Sequence, residues 1–246
     1  FDSIFLKCMI MTCGDLIQKF NACSGYTHSD EITLVIPAQC TKEEYDTETN
    51  KSAHMFNGRV TKIIGLTASF CSITFYKYLC EFVHESFRDR ITKSIPIFDS
   101  RILIFDHEKQ ETEILNHFIW RSLYDCHKNA VSTYADYYVG KKKTFKMNTK
   151  EKIEELSKTE APWYSVPDYY KSGMFLKKEQ YTRKIEFVRK KSKDIEIVDA
   201  IRTRIIPFTI NSLTVDDIHI DLIMSKYLSE SFDGLVTSQI HEIECM

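Results

Sequence analysis

Apolar side chains recur at helical spacing from residue 3 to 21, with Phe5, Met9, Leu16 and Phe20 marking one side. This spacing predicts an amphipathic helix. The period changes in the run from Gly25 to Pro37, where Thr, Val and Ile alternate with apolar positions. A strand is predicted over 26–37, opened by Gly25 and closed by Pro37. A polar stretch over 40–53 predicts a loop, followed by a helix over 60–86 and a strand over 100–106. A long helix over 109–138 carries Ile114, Phe118, Leu123, Cys126 and Val131 on a broadly apolar side. Residues 140–148 are basic, and Thr149 opens a further helix to about Lys158. The stretch 162–173 is aromatic and turn-rich, and the tail shows strand-like runs at 183–189, 195–209 and 217–224. Helices and strands mix without strict βαβα alternation, so the fold class is α+β with a mainly antiparallel sheet. A boundary is expected between 140 and 175, separating a 1–140 domain from a basic and aromatic 141–246 region.

Composition narrows the function classes. A chain of 246 residues can bury a real core, and its formal net charge of -2 gives no global field for nucleic acid. The eight cysteines contain no Cys-x-x-Cys pair. This argues against zinc and against a disulfide scaffold, and suits the cytoplasm or another reducing compartment. The apolar run from Ile63 to Leu79 is broken by Thr, Ser and Lys, which predicts no membrane span. The chain opens on Phe1 and runs at once into a helix, so an N-terminal truncation is expected. No Walker loop, Gly-x-Ser-x-Gly elbow or His-Glu-x-x-His helix is present, which leaves hydrolase and metalloprotease readings without a motif.

Candidate chemistry starts at Asp30 and Glu31. Two adjacent carboxylates inside a strand are costly unless something cationic sits beside them. Alternation sends them to opposite faces, so at most one shares a face with a given metal. Either one is a divalent-metal ligand of a polymerase-type palm, or the strand is a solvated edge. Arg59 and Lys62 lie one helical turn apart at a helix start, behind Gly58, and could cradle a triphosphate on open helix amides. The alternative is a solvated helix face. Arg121 and Asp125 have intrahelical ion-pair spacing. Cys126 and His127 lack further spaced ligands and predict a structural histidine. Asn129 is a polar residue on a mostly apolar helix, which suggests a hydrogen-bonding role. Cations concentrate in Lys141, Lys142, Lys143 and Lys146, in Lys171, Lys177 and Lys178, and in Arg183-Lys184 and Arg189–Lys193. With Tyr164, Tyr169, Tyr170 and Phe175 nearby, they fit a phosphate-backbone surface with stacking partners, or a solvated face.

These pieces stand in a familiar order: Gly-Tyr-Thr-His-Ser-Asp-Glu-Ile at 25–32, Phe-Asn-Gly-Arg-Val-Thr-Lys at 56–62, Phe-Asp-Ser-Arg at 98–101, and Trp-Arg with Asp-Cys and Asn at 120–129. A Gly-Lys-x-x-Thr segment at 140–144 and Tyr-Lys-Ser-Gly-x-Phe at 170–175 follow. In this order the chain resembles the tRNA-His guanylyltransferase family, most closely its 3′–5′ polymerase-like members. The resemblance implies a polymerase-palm-like antiparallel sheet flanked by helices, a C-terminal extension, and a missing first palm strand. It also implies nucleotide addition to the 5′ end of tRNA, as tRNA-His guanylylation or 5′-end repair, by a two-metal mechanism. Two Mg2+ ions, GTP and ATP, tRNA, and a homo-oligomer (tetramer or dimer) are the implied cofactors and partners. Asp30 would be the metal ligand and Asp30 and Glu31 the catalytic acids. Ser29, Asp30, Arg59, Lys62 and Asn129 would bind nucleotide, and Lys141, Lys142, Lys143 and Lys171 would bind RNA. Two departures stand out. The family's first metal aspartate lies in an Arg-x-Asp-Gly strand motif ahead of the first helix seen here, and Lys128-Asn129-Ala130 replaces a His-x-Asn-Asn run. Two other readings remain open: a catalytically inactive, palm-derived RNA-binding protein, and a nucleotide-cyclase-like domain.

Overall fold

The computed structural model describes residues 2–37, 55–106, 110–188 and 195–239. The predicted loop at 40–53 and the cations Arg189–Lys193 lie outside the described residues. Helix α1 (Ser3–Lys19) starts where the Asp2 carboxylate accepts from the Phe5 N–H at 2.8 Å. Strands β1 (Ser24–His28) and β2 (Glu31–Val35) follow as an antiparallel hairpin. Helix α2 (Val60–Phe82) comes next, then the short α3 (Arg88–Lys93), and later β3 (Met174–Val188) and β4 (Ile195–Ile210) form a long antiparallel pair. β1 also pairs with β3, so the sheet runs β2-β1-β3-β4-β6, with β6 at Val236–Ser238 and the short β5 (Tyr227–Leu228) parallel to β3. The α+β class with its mainly antiparallel sheet is the observed one.

Packing explains the layering. One face of α1 lays Leu6, Ile10, Cys13 and Ile17 against Met174 and Leu176 of β3. Its other face, with Cys8, Met9 and Leu16, meets Cys71, Phe75 and Tyr78 of α2. The opposite sheet face carries Tyr26, Phe175 and Phe208, covered by Leu115 and Phe118 and by Leu222 and Ile223. Gly25 sits where α1 comes closest: a Cβ there would stand 2.6 Å from Cys13 Sγ and 2.8 Å from Ile17 Cδ1.

Several predicted elements change. The strand predicted over 26–37 is two strands, because His28 pairs with Glu31 and the chain reverses at Ser29-Asp30. The strand predicted over 100–106 has no regular structure, and its Leu103 and Ile104 are exposed. Apolar alternation makes a strand only where a ladder partner accepts its amides, and among the described residues none pairs there. The run at 217–224 is a helix, α9 (Asp217–Met224), started by the Asp216 side chain accepting from the His219 N–H at 2.9 Å. The long helix begins at Glu111 and continues as α4 (Glu111–Ile119), a π-helical stretch (Trp120–Cys126) and α5 (His127–Ala135). A second π stretch leads to α6 (Lys141–Thr144), followed by α7 (Thr149–Leu156) and α8 (Asp168–Ser172). Helix α2 is 23 residues long with a best-window mean hydropathy of 1.3, and so is long and apolar enough to cross a membrane. By length and composition alone, the Thr, Ser and Lys interruptions do not make it too polar for that, contrary to the expectation from the sequence. In the fold its Cys71, Thr74, Phe75 and Tyr78 are buried, and the Tyr78 hydroxyl donates to Asp15 of α1 at 2.8 Å.

Candidate functional site

The tip of the β1–β2 hairpin builds the site. Ser29 has φ 49° and forms a two-residue turn with Asp30. The Thr27 hydroxyl closes this end by donating to the Glu31 carbonyl at 2.9 Å. Asp30 is therefore not inside a strand with Glu31 on the opposite face. It stands exposed in the turn, and Glu31 opens β2 beside His28.

Opposite the hairpin lies the π-helical stretch Trp120–Cys126, whose wide turn presents Arg121, Ser122 and Asp125. Tyr26 holds it in place. Its hydroxyl donates to the Ser172 carbonyl at 2.8 Å, which the Ser122 hydroxyl also reaches at 2.7 Å. Gly173, at φ +79°, leaves room for the Tyr26 ring, since a Cβ there would stand 2.4 Å from its hydroxyl oxygen.

The Arg121 guanidinium joins the two elements. One nitrogen binds Glu31, and the other meets Asp125 at 2.5 Å. Asn129 donates to the second Asp125 oxygen at 3.0 Å. His28, 5 % exposed, directs Nε2 at both carboxylates, 3.7 Å from Glu31 and 3.6 Å from Asp125. Its Nδ1 is buried and has no hydrogen-bond partner among the described residues. Burial pushes the His28 pKa down to about 4, and the Arg121 charge acts in the same direction against Asp125 and Asp30. The imidazole is therefore neutral at pH 7. Among the described residues, the one group of three or more ligand side chains close enough to hold a metal is His28, Glu31 and Asp125. Asp30 is not in it.

The other candidates are spread out. Arg59 is the N-cap of α2 and Lys62 follows in its first turn, both exposed. Phe56, Asn57 and Gly58 before them have φ 55°, 55° and 66°. Among the described residues no side chain caps this helix; the Lys62 N–H turns back to the Arg59 carbonyl at 3.0 Å, which leaves the Val60 and Thr61 amides to face an anion. Lys62 Nζ lies 5.1 Å from the centre of the Phe56 ring. Asn129 has the hydrogen-bonding role its polar character suggested, but at an exposed position, where it serves Asp125. With His28, Ser29 and Thr133 it lines a cavity of about 190 Å³. Lys141 and Lys142 are exposed on α6. Lys143 is bound to Glu155 at 2.5 Å, and Lys171 to Asp168 at 3.2 Å.

His28 and Asp125 were missed as site residues. The Arg121/Asp125 spacing was visible, but nothing local says that a strand residue about 95 positions away completes the group. His127, read as structural, packs its ring 5.5 Å from Trp163.

The chain is similar in sequence and fold to known proteins. Residues 1–106 match the family described as tRNAHis guanylyltransferase. An uncharacterized protein of Acanthamoeba polyphaga mimivirus is 35% identical over 187 residues, covering 73% of this chain and 63% of its own length. A tRNA(His) guanylyltransferase of Debaryomyces hansenii is 28% identical over 126 residues, covering 50% of this chain and 40% of its own length. The chain thus spans less than two thirds of these relatives. The solved structure of a bacterial tRNA(His) guanylyltransferase-like protein in complex with ATP superposes with a TM-score of 0.58 at 26% identity, covering 73% of this chain and 69% of that one. A complex of such a protein with GTP gives 0.52 at 22% identity, covering 82% and 71%. The resemblance first seen in the motifs therefore holds in sequence and in fold.

Proposed function

We propose that this chain, similar to the tRNAHis guanylyltransferases through residues 1–106, transfers nucleotides to the 5′ end of tRNA. The observation that carries this reading is the Ser29-Asp30-Glu31 hairpin tip inside the matched region, in a fold shared with a relative solved with ATP. The substrates we infer are ATP or GTP as activator and as incoming nucleotide, with addition in the 3′–5′ direction.

The residues divide the work by place. Arg59 and Lys62, with the Val60 and Thr61 amides of α2, would grip the triphosphate as charge-assisted donors. Ser29 and Asp30 would meet the reacting end at the hairpin tip. Asn129 would orient a group in the cavity beside Ser29. Mg2+ is the ion the reading implies, and it would offset charge on the polyphosphate. Asp30 would hold it, but the nearest cluster of ligand groups excludes Asp30 and its carboxylates are engaged by Arg121. The described residues do not assemble a two-ion site.

Arg121 occupying that cluster favours a second reading, an inactive palm-derived RNA-binding protein. One experiment separates them. Purified protein is incubated with magnesium, labelled GTP or ATP, and tRNA bearing a 5′ phosphate. Label joined to the RNA 5′ end supports transfer. Salt-dependent tRNA binding without incorporation would leave the second reading standing.

A further inference from the structure

We infer that His28, Glu31 and Asp125 form a binding site for a first-row transition divalent cation, and that the Arg121 guanidinium holds this site in the cation's place. The inference stands apart from nucleotide transfer and does not involve Asp30. Three observations carry it. The ligand atoms of His28, Glu31 and Asp125 all lie within 4.8 Å of one another, a span one ion can bridge. His28 is almost fully buried, and its Nε2 faces both carboxylates at distances too long for a hydrogen bond. Its Nδ1 also finds no partner among the described residues. A buried imidazole that makes no hydrogen bond is uncommon unless it has another task. Third, the two carboxylates already hold a cation between them, Arg121.

The donor set sets the class of ion. Two carboxylates alone would suit Mg2+ or Ca2+, whereas an imidazole nitrogen shifts preference toward Mn2+ and its heavier neighbours. Binding is then an exchange: the ion enters as the guanidinium leaves. The guanidinium carbon already lies 5.8 Å from the centre of the Trp120 ring while it holds the carboxylates, a contact that Arg121 can keep as it withdraws. Asn129 would keep its bond to Asp125 throughout and orient that ligand.

Titration of the full chain with Mn2+, without nucleotide or RNA, tests this by electron paramagnetic resonance with detection of nitrogen coupling. One bound Mn2+ per chain with imidazole-nitrogen modulation is expected. His28→Gln should remove the modulation and weaken binding at least the ~10-fold that loss of even an outer partner produces. Arg121→Gln should tighten binding, because the internal competitor is gone, and Asp30→Asn should leave the modulation intact. Two results would overturn the site: no nitrogen-coupled Mn2+ in wild type, or coupling that survives in His28→Gln. If Arg121→Gln folds and binds no tighter than wild type, the exchange is wrong. Should Arg121→Gln not fold, wild type and His28→Gln still decide. A transfer assay that fails leaves these readouts untouched.

Discussion

Gly25 of β1 and Cys13 of α1 meet so closely that a methyl group on the glycine would stand 2.6 Å from the cysteine sulfur. The sequence marked Gly25 only as the opening of a strand. In the fold it is the point at which the helix rests on the sheet. Gly25→Ala should lower stability by about 1–3 kcal/mol, the usual penalty for overpacking a tight interior. Adding Cys13→Ala should recover part of the loss, since those two sites share one space while the Ile17 Cδ1 contact at 2.8 Å remains. Thermal melts of the single and double variants check this. A Gly25→Ala variant that melts like wild type would show that the contact relaxes freely.

Much of the fold could be read from periodicity, and its failures have physical reasons. The helix at 3–21 appears as α1, and Thr149 opens a helix (Thr149–Leu156) as expected, capped by Asn148 and Glu151 in reciprocal bonds. The break at Ser29-Asp30 was hidden because neither residue is the Gly or Asn that such turns favour. β3 begins at Met174, well ahead of the predicted 183, because Lys177 and Lys178 disguise a buried strand as a basic surface. At the site, Arg121 and Asp125 were legible as a local pair. Their meeting with His28 and Glu31 depends on tertiary packing through Tyr26, which no local pattern encodes.

Lys177 gives a pH test of that buried strand. It is fully buried, and Nζ donates to Ser24 Oγ at 2.7 Å, the Cys23 carbonyl at 3.2 Å and the Ile223 carbonyl at 3.3 Å. Burial pushes its pKa down to about 8, partly opposed by Cys23. The native state thus releases this proton near pH 8, whereas the unfolded chain holds it to the ordinary lysine value of roughly 10.4. Between these values the unfolded state binds more protons, so this group makes stability rise with pH. Lys178 acts with the same sign and Cys23, its thiol pKa raised by burial, with the opposite one. The clean measurement is the difference between wild type and Lys177→Met in denaturant melts from pH 7.5 to 10.5. Wild type should gain relative to the variant as pH rises. A flat difference would mean that the buried lysine carries no depressed pKa.

The triphosphate grip predicts a KM effect. Lys62→Ala should raise the KM for nucleoside triphosphate about tenfold, matching one lost charge-assisted hydrogen bond of ~1.5 kcal/mol. Melting should hardly change, because Lys62 is exposed and its one described partner is the Phe56 ring. An unchanged KM in steady-state transfer would return Arg59 and Lys62 to a solvated helix face.

Among the basic residues, pairing sets an order. Lys143 and Lys171 already hold Glu155 and Asp168, whereas Lys141 and Lys142 are exposed on α6. If this region contacts tRNA phosphates, removing Lys141 and Lys142 should flatten the dependence of log affinity on log salt. The expected change is about 0.7 to 0.9 per lost contact. Lys143→Ala and Lys171→Ala should change it less, since each would first have to give up its carboxylate. Filter binding of tRNA across a salt series measures the slopes. Equal slopes in all four variants would remove this surface from the RNA-binding proposal.

Asp30 and Glu31 should part company for a reason other than strand alternation. Asp30 stands in the turn, outside the cluster of ligand groups, whereas Glu31 is bound by Arg121. Asp30→Asn leaves every described contact in place, so it should fold and melt like wild type. If Asp30 is the carboxylate that transfer needs, the same variant should lose incorporation of labelled nucleotide. Glu31→Gln leaves Arg121 with Asp125 as its remaining carboxylate and weakens one of the ties between hairpin and π-helical stretch. It should therefore melt slightly lower, with any loss of transfer accompanied by that structural change. Melts and transfer assays on the two variants read both effects at once. An Asp30→Asn protein that still incorporates nucleotide would take catalysis away from the turn, and leave Glu31 and its neighbours as the acids to examine.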